Sequence, residues 1–294
     1  MLMKTNINSW SSKAAAVFLA LIGLTLFASS GFSQNVSVSG STGADGSYLT
    51  LKAAFDALNA NTTQTGNNIA VSVVGDTAEG AATAALNQPS GGSWSTLTIT
   101  PSGARTISGA TTAGNPLVDL NGADNVTING LNAAGNSLTI SNTTVSATSG
   151  TSTIRFQTDA TGNLITNCSV LGSATMAAGT NGGNIFFGSA AVTTGNDNNT
   201  ISNCNIGPAG ANLPTKGIHF SGTSNTDPGT ANSGIVISNN NIFDYFSATV
   251  STAGIDLNSG TVGTTISNNR FYQTATRTMT TSSLTHSGIR ISNA

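Results

Sequence analysis

Charge is what this sequence has least of. Lys, Arg, Asp and Glu make up 7% of its 294 residues, against roughly 25% in an average soluble protein. With 9 basic and 11 acidic side chains, a formal charge of −2 and no basic cluster, it lacks the footprint of a nucleic-acid binder. Long helices and coiled coils need Ala, Glu, Lys, Leu and Arg in quantity, so these are excluded too. Two cysteines exclude a disulfide-dense mini-domain. Aromatics are only 5%. The single Glu, Glu79, and the absence of any Asp-Asp or Asp-x-Asp leave no motif for a glycosidase carboxylate pair or a calcium cluster. Gly-x-Ser-x-Gly, Walker, Gly-x-Gly-x-x-Gly and Cys-x-x-Cys motifs are missing as well.

What is present is Gly, Thr, Ser and Asn, threaded with apolar residues. Lys4 and Lys13 precede an uncharged apolar run, 14–28, followed by Ser29, Ser30, Gly31, Phe32 and Ser33. That order is the pattern of a secretory signal peptide, 1–33, cleaved before Gln34, with cleavage after Ser30 as the rival and an uncleaved anchor as the alternative. No second run reaches membrane length, so no membrane span is expected in the mature chain.

The body repeats. Ile-x-Asn followed by an apolar residue recurs at Ile140, Ile165, Ile201, Ile237 and Ile266, with Val126-Thr-Ile128 as a degenerate copy. An apolar-x-apolar motif interleaves with it at Val118, Ile154, Ile185, Ile218, Ile255 and Ile289. Each copy is short, alternates with period two and is bounded by turn residues, so each reads as a strand. Copies recurring in one sense stack in parallel, which predicts an all-β, right-handed parallel β-helix over 69–294. Asn167, Asn203, Asn239 and Asn268 share one motif position and are expected to form an asparagine ladder at a bend.

A solenoid needs its open end covered. Leu51, Ala54, Phe55 and Leu58 fall at helical spacing behind Thr50, which predicts a capping helix over 50–59 within an N-terminal cap, 34–68. The chain stops inside a strand motif at Ile289-Arg-Ile291, and the expectation is truncation of a longer protein or a final coil covered by a partner.

These stretches, with Leu120-Asn-Gly-Ala-Asp-Asn-Val-Thr-Ile-Asn-Gly-Leu131 and Gly195-Asn-Asp-Asn-Asn-Thr-Ile-Ser-Asn203 the most telling, resemble the secreted right-handed β-helix surface proteins of Bacteroidetes, often exported through the type IX system. The resemblance covers nearly all of the mature chain. It implies a pectate-lyase-like fold, a secreted or cell-surface location, and in most relatives no assigned enzymatic role. Asp76-Thr77-Ala78 resembles the O-glycosylation site of that phylum.

In the apolar-x-apolar strands the middle residue points outward. Stacking predicts an exterior column of Asp119, Arg155, Phe186, His219, Asp256 and Arg290, with neighbours about 4.8 Å apart. Two readings stand: cross-strand charge pairing on a solvated sheet, or a shallow groove for a polysaccharide with Phe186 as stacking surface. Cys168 and Cys204 lie one coil apart and are read as either a disulfide or stacked thiols. The expectation is a non-catalytic, adhesin-like structural and interaction protein contacting a polysaccharide or cell-surface glycan, with no catalytic residue, metal or cofactor. The alternative is a polysaccharide lyase or glycosidase, for which Ca²⁺ enters as cofactor.

Overall fold

Short strands with one apolar face, separated by Asn and Gly, can bury that face only by winding round and pairing with their own counterparts. The computed structural model describes residues 34–189, 193–223, 227 and 229–292. Over them the chain forms a parallel β-solenoid of about 6 turns with one short helix near its start. The expected signal peptide, 1–33, lies outside the described residues.

Three sheets run along the solenoid. The Ile-x-Asn motif builds the first, where Ile128, Ile165, Ile201, Ile237 and Ile266 pair in line. The apolar residue that follows builds the second, with Ile140, Val170, Ile206, Ile242 and Phe271 in line. Ile140-Ser-Asn142 is therefore not a copy of the first motif; the copy above Ile165 is Ile128, which had looked degenerate. Both half-coils contain an apolar-x-Asn string, and only the pairing tells them apart. The third sheet holds the apolar-x-apolar motifs in the expected register. Inside it, Phe156, Phe187 and Phe220 stack with centroids 4.4 and 4.5 Å apart and rings within 5° of parallel.

The bend asparagines do what Asn is suited to do. Asn167, Asn203, Asn239 and Asn268 adopt φ of 56, 54, 58 and 55°, the left-handed region that Asn tolerates. Their amides do not form the ladder. Among the described residues no hydrogen bond joins these four; Asn167 donates to Asn129 Oδ1 and Asn203 to Thr166 Oγ1. The left-handed residue turns its side chain toward solvent, and the next residue turns inward. The ladder accordingly runs through the neighbours. Asn240 Oδ1 accepts from Cys204 N at 2.9 Å, and Asn240 Nδ2 donates to Asn269 Oδ1 at 2.9 Å. A second ladder links Asn163 N to Asn199 Oδ1 at 2.9 Å, and a third links Asn196 Nδ2 to Asn232 Oδ1 at 2.7 Å.

Cys168 and Cys204 occupy the same inward corner as Asn240 and carry free thiols. Each Sγ turns back to the carbonyl two residues earlier, at 3.1 and 3.2 Å. The two side chains thus adopt the same pose one coil apart, each turned to its own backbone carbonyl.

The helix spans Leu51–Ala60, one residue later than expected at each end. Thr50 Oγ1 accepts from Ala53 N at 3.1 Å as its N-cap. Leu51, Ala54, Phe55 and Leu58 are buried against the first coil. The strand Val36–Ser39 pairs antiparallel with Gly46–Tyr48 and with Asn68–Val73, closing that end of the first sheet. At the other end the strand His286–Ile291 borders the third sheet, with Ile289 and Ile291 exposed.

Candidate functional site

The outward residues of the third sheet form the column the sequence predicts. Asp119 pairs with Arg155, Arg155 with Phe186, Phe186 with His219, His219 with Asp256, and Asp256 with Arg290. The register is as expected; the solvation is not. Asp119 is 4% exposed, Phe186 5%, and His219 and Asp256 0%. Outward from the sheet is not outward to water here, because the column residues pack on one another.

Arg155 grips Asp119 with Nε at 3.0 Å and Nη2 at 2.7 Å, and Gln157 adds a third donor at 3.2 Å. The Phe186 ring stacks on His219 at 5.6 Å and 15°. Arg290 holds Asp256 with Nε at 2.8 Å and Nη2 at 2.5 Å. His219 Nδ1 lies 2.9 Å from Asp256 Oδ2, but off the line a ring N–H needs, so the contact is electrostatic and neither ring nitrogen has an aligned partner.

A fourth member was not anticipated. Lys216, fully buried, places Nζ 3.4 Å from Asp256 Oδ2 and donates to Thr180 O at 2.6 Å. Gly183, at φ 144°, stands beside it; a Cβ there would lie 3.1 Å from Lys216 Cβ. The available signal was the lone Lys in Lys-Gly-Ile-His-Phe220, directly before a strand motif.

Burial and charge oppose each other in this cluster. Burial pulls the Lys216 amine down to about 8 while Asp256 pulls it up. Burial also lowers His219, against the pull of Asp256 and with help from Lys216. For Asp256, burial raises the carboxyl, but His219, Arg290 and Lys216 outweigh it, and the net direction is down. Asp256 is thus an anion shared by two cations and a neutral imidazole. His219, Lys216 and Asp256 have no solvent-accessible surface on which a substrate could rest.

The other acids are committed as well. Glu79 receives Leu51 N and Lys52 N, both at 2.9 Å, at the N-terminus of the helix, where a carboxylate meets the positive end of the dipole. Asp45, Asp76, Asp124, Asp159, Asp197, Asp227 and Asp244 each accept a backbone N–H at a turn. Asp56 pairs with Lys52. With Asp119 and Asp256 held by arginines, all 11 acidic residues of the sequence have a structural partner. Among the described residues no three His, Cys, Asp or Glu side chains converge on one point. Thr77, in the sequence that resembles a glycosylation site, is 2% exposed within a strand, so its hydroxyl is inaccessible to modification in the folded chain.

Comparison with protein-family models, with curated proteins and with solved structures finds no match to this chain.

Proposed function

We propose that this chain is a non-catalytic structural and interaction protein of the extracellular space or outer cell surface, a rigid β-solenoid presenting polar faces to carbohydrate. The observation that carries this reading is the commitment of all 11 carboxylates to turns, a helix end or ion pairs. A glycosidase needs two carboxylates facing a substrate, and a calcium-dependent lyase needs several oxygens free to converge on a cation. The engagement of the acids within the fold supports the non-catalytic reading over either of these. The low-charge, Asn- and Thr-rich surface and the resemblance to secreted β-helix proteins support the location and the carbohydrate partner. The relation to pectate-lyase-like folds belongs to the same reading.

The test combines a glycan array with a lyase assay that follows the unsaturated product, with and without Ca²⁺, on residues 34–294. Binding without turnover is the expected result. Calcium-dependent turnover of any polysaccharide overturns the non-catalytic reading and supports a lyase.

A further inference from the structure

Asn followed by Gly brings a side-chain amide within reach of the next backbone nitrogen, and Gly has no Cβ to shield that nitrogen. The pair occurs three times, at Asn121-Gly122, Asn129-Gly130 and Asn181-Gly182. Exposure does not separate them: each Asn is half-buried and each Gly is buried. Hydrogen bonding does.

Asn121 and Asn129 each end a strand and have both reacting groups engaged. Asn121 Nδ2 donates to Asn87 Oδ1 at 2.8 Å, and its Oδ1 accepts from Thr158 Oγ1 at 2.9 Å. Gly122 N donates to Gln157 O at 2.9 Å. Asn129 Oδ1 accepts from Leu131 N and Asn167 Nδ2, both at 2.9 Å, and Gly130 N donates to Thr166 O at 3.0 Å. Asn181 lies between strands, in the connection leading to Gly183–Phe187. Among the described residues neither its side-chain amide nor Gly182 N has a hydrogen bond, although the backbone on either side is pinned. Gly150 N donates to Asn181 O at 2.9 Å, and Gly183 N donates to Thr151 O at 3.2 Å.

We propose that Asn181-Gly182 is a site of spontaneous covalent modification, at which the folded chain deamidates through a cyclic imide while Asn121 and Asn129 are protected. Gly182 N gives up its proton and attacks Asn181 Cγ. The N–Cγ bond forms, the Cγ–Nδ2 bond breaks, and ammonia leaves with the proton. Water then opens the imide. Breaking the new N–Cγ bond gives an aspartyl chain, and breaking the original peptide C–N bond gives an isoaspartyl chain; nothing is oxidised or reduced. Either product carries a carboxylate one residue from Thr180, whose carbonyl takes the Lys216 ammonium at 2.6 Å. The isoaspartyl product also lengthens the backbone by one methylene between the bonds at Asn181 O and Gly183 N, so the change enters the connection that holds the buried lysine.

The experiment incubates the full chain in mildly alkaline buffer, digests it and follows the gain of one mass unit at each Asn-Gly by mass spectrometry, with isoaspartate read by fragmentation. The expected result is conversion at Asn181 at least about tenfold faster than at Asn121 or Asn129, the factor for one hydrogen bond lost on the way to reaction. In urea the three rates should converge. Conversion at Asn121 or Asn129 as fast as at Asn181 in the folded chain overturns the proposal, as does conversion at Asn181 only after unfolding. A preference for Asn181 that persists in full in urea overturns selection by the fold. In Asn181→Gln, whose longer side chain closes the ring far more slowly, the early mass gain of the folded chain should vanish; its persistence would place the reaction elsewhere. The wild-type comparison of three sites in one molecule stands even if that variant is unstable.

Discussion

Arg290 clasps Asp256 with two donors across adjacent coils, at 2.8 and 2.5 Å, where the carboxylate has no contact with water. Removing one member of a buried ion pair leaves the other charge uncompensated, which costs about 3–5 kcal/mol, whereas replacing the whole group with apolar residues is often neutral. Asp256→Asn should therefore lower stability by several kcal/mol, read as a drop in the denaturant midpoint. Arg290→Met should cost less, because Lys216 remains beside the carboxylate and the arginine is partly exposed. Equal and small losses would show that the cluster contributes little.

Acid should weaken the fold in two stages. His219 is lowered from 6.5 chiefly by burial, so its neutral form is favoured by folding; that contribution is complete above pH 6.5 and is lost as pH falls. His286 acts in the same direction. Asp256 is lowered from 3.8, so its contribution is complete above that value and is lost below it. Asp159 and Asp244 add the same sign and Asp124 the opposite. Thermal midpoints from pH 8 to pH 3 should fall first near 6.5 and again near 4. In His219→Phe, which keeps a ring against Phe186, the first fall should shrink. A profile identical to wild type would exclude His219 as its source.

The thiols should be present and inert. Only the thiolate reacts, and burial pushes Cys204 up to about 12 and Cys168 well above its ordinary value. A thiol reagent should find close to none in the native chain and both after unfolding without reductant. No titratable thiol in the unfolded, unreduced chain would mean a disulfide.

Adjacent asparagines should respond in opposite ways. Asn239 sits at φ 58° with its side chain exposed, so Asn239→Gly should be nearly neutral. Asn240 is buried and makes three hydrogen bonds to Cys204 N, Ile201 O and Asn269 Oδ1. Asn240→Ala removes the side-chain partner of Cys204 N and Ile201 O, at about 1–3 kcal/mol each in the limiting case, while Asn269 Oδ1 keeps the Asn240 backbone N–H. Chemical denaturation of the two variants checks the contrast.

The parallel solenoid could be read from the sequence because two motifs advance together, and period-two alternation fixes which side faces the core. The helix was legible because four apolar residues share one face behind a Thr. What could not be read was depth. Asp256 and Arg290 stood in the right order, yet whether an outward side chain reaches water depends on how its neighbours pack against it, and the motif spacing does not carry that. The ladder was displaced by one residue for a related reason. Spacing alone cannot separate Asn239, chosen for its backbone, from Asn240, chosen for its amide. Lys216 was overlooked because it lies beside the motif and not within it.

In the first sheet Ile165, Ile201 and Ile237 pair in line at a constant spacing, and the side-chain bonds Asn163–Asn199, Thr166–Ser202 and Cys204–Asn240 all join residues 36 apart. Excising one such interval between Ile165 and Ile201 would rejoin the chain in matching context, with Ser202 following Ile165 where Thr166 does now. Height is thus a quantity this architecture can change by whole increments through in-frame duplication or loss, without inventing a new junction. The cross-coil contacts of Asp256 do not share that freedom. They bind particular coils together, and they mark the stretch of the solenoid where an increment cannot be removed without leaving a mismatch behind.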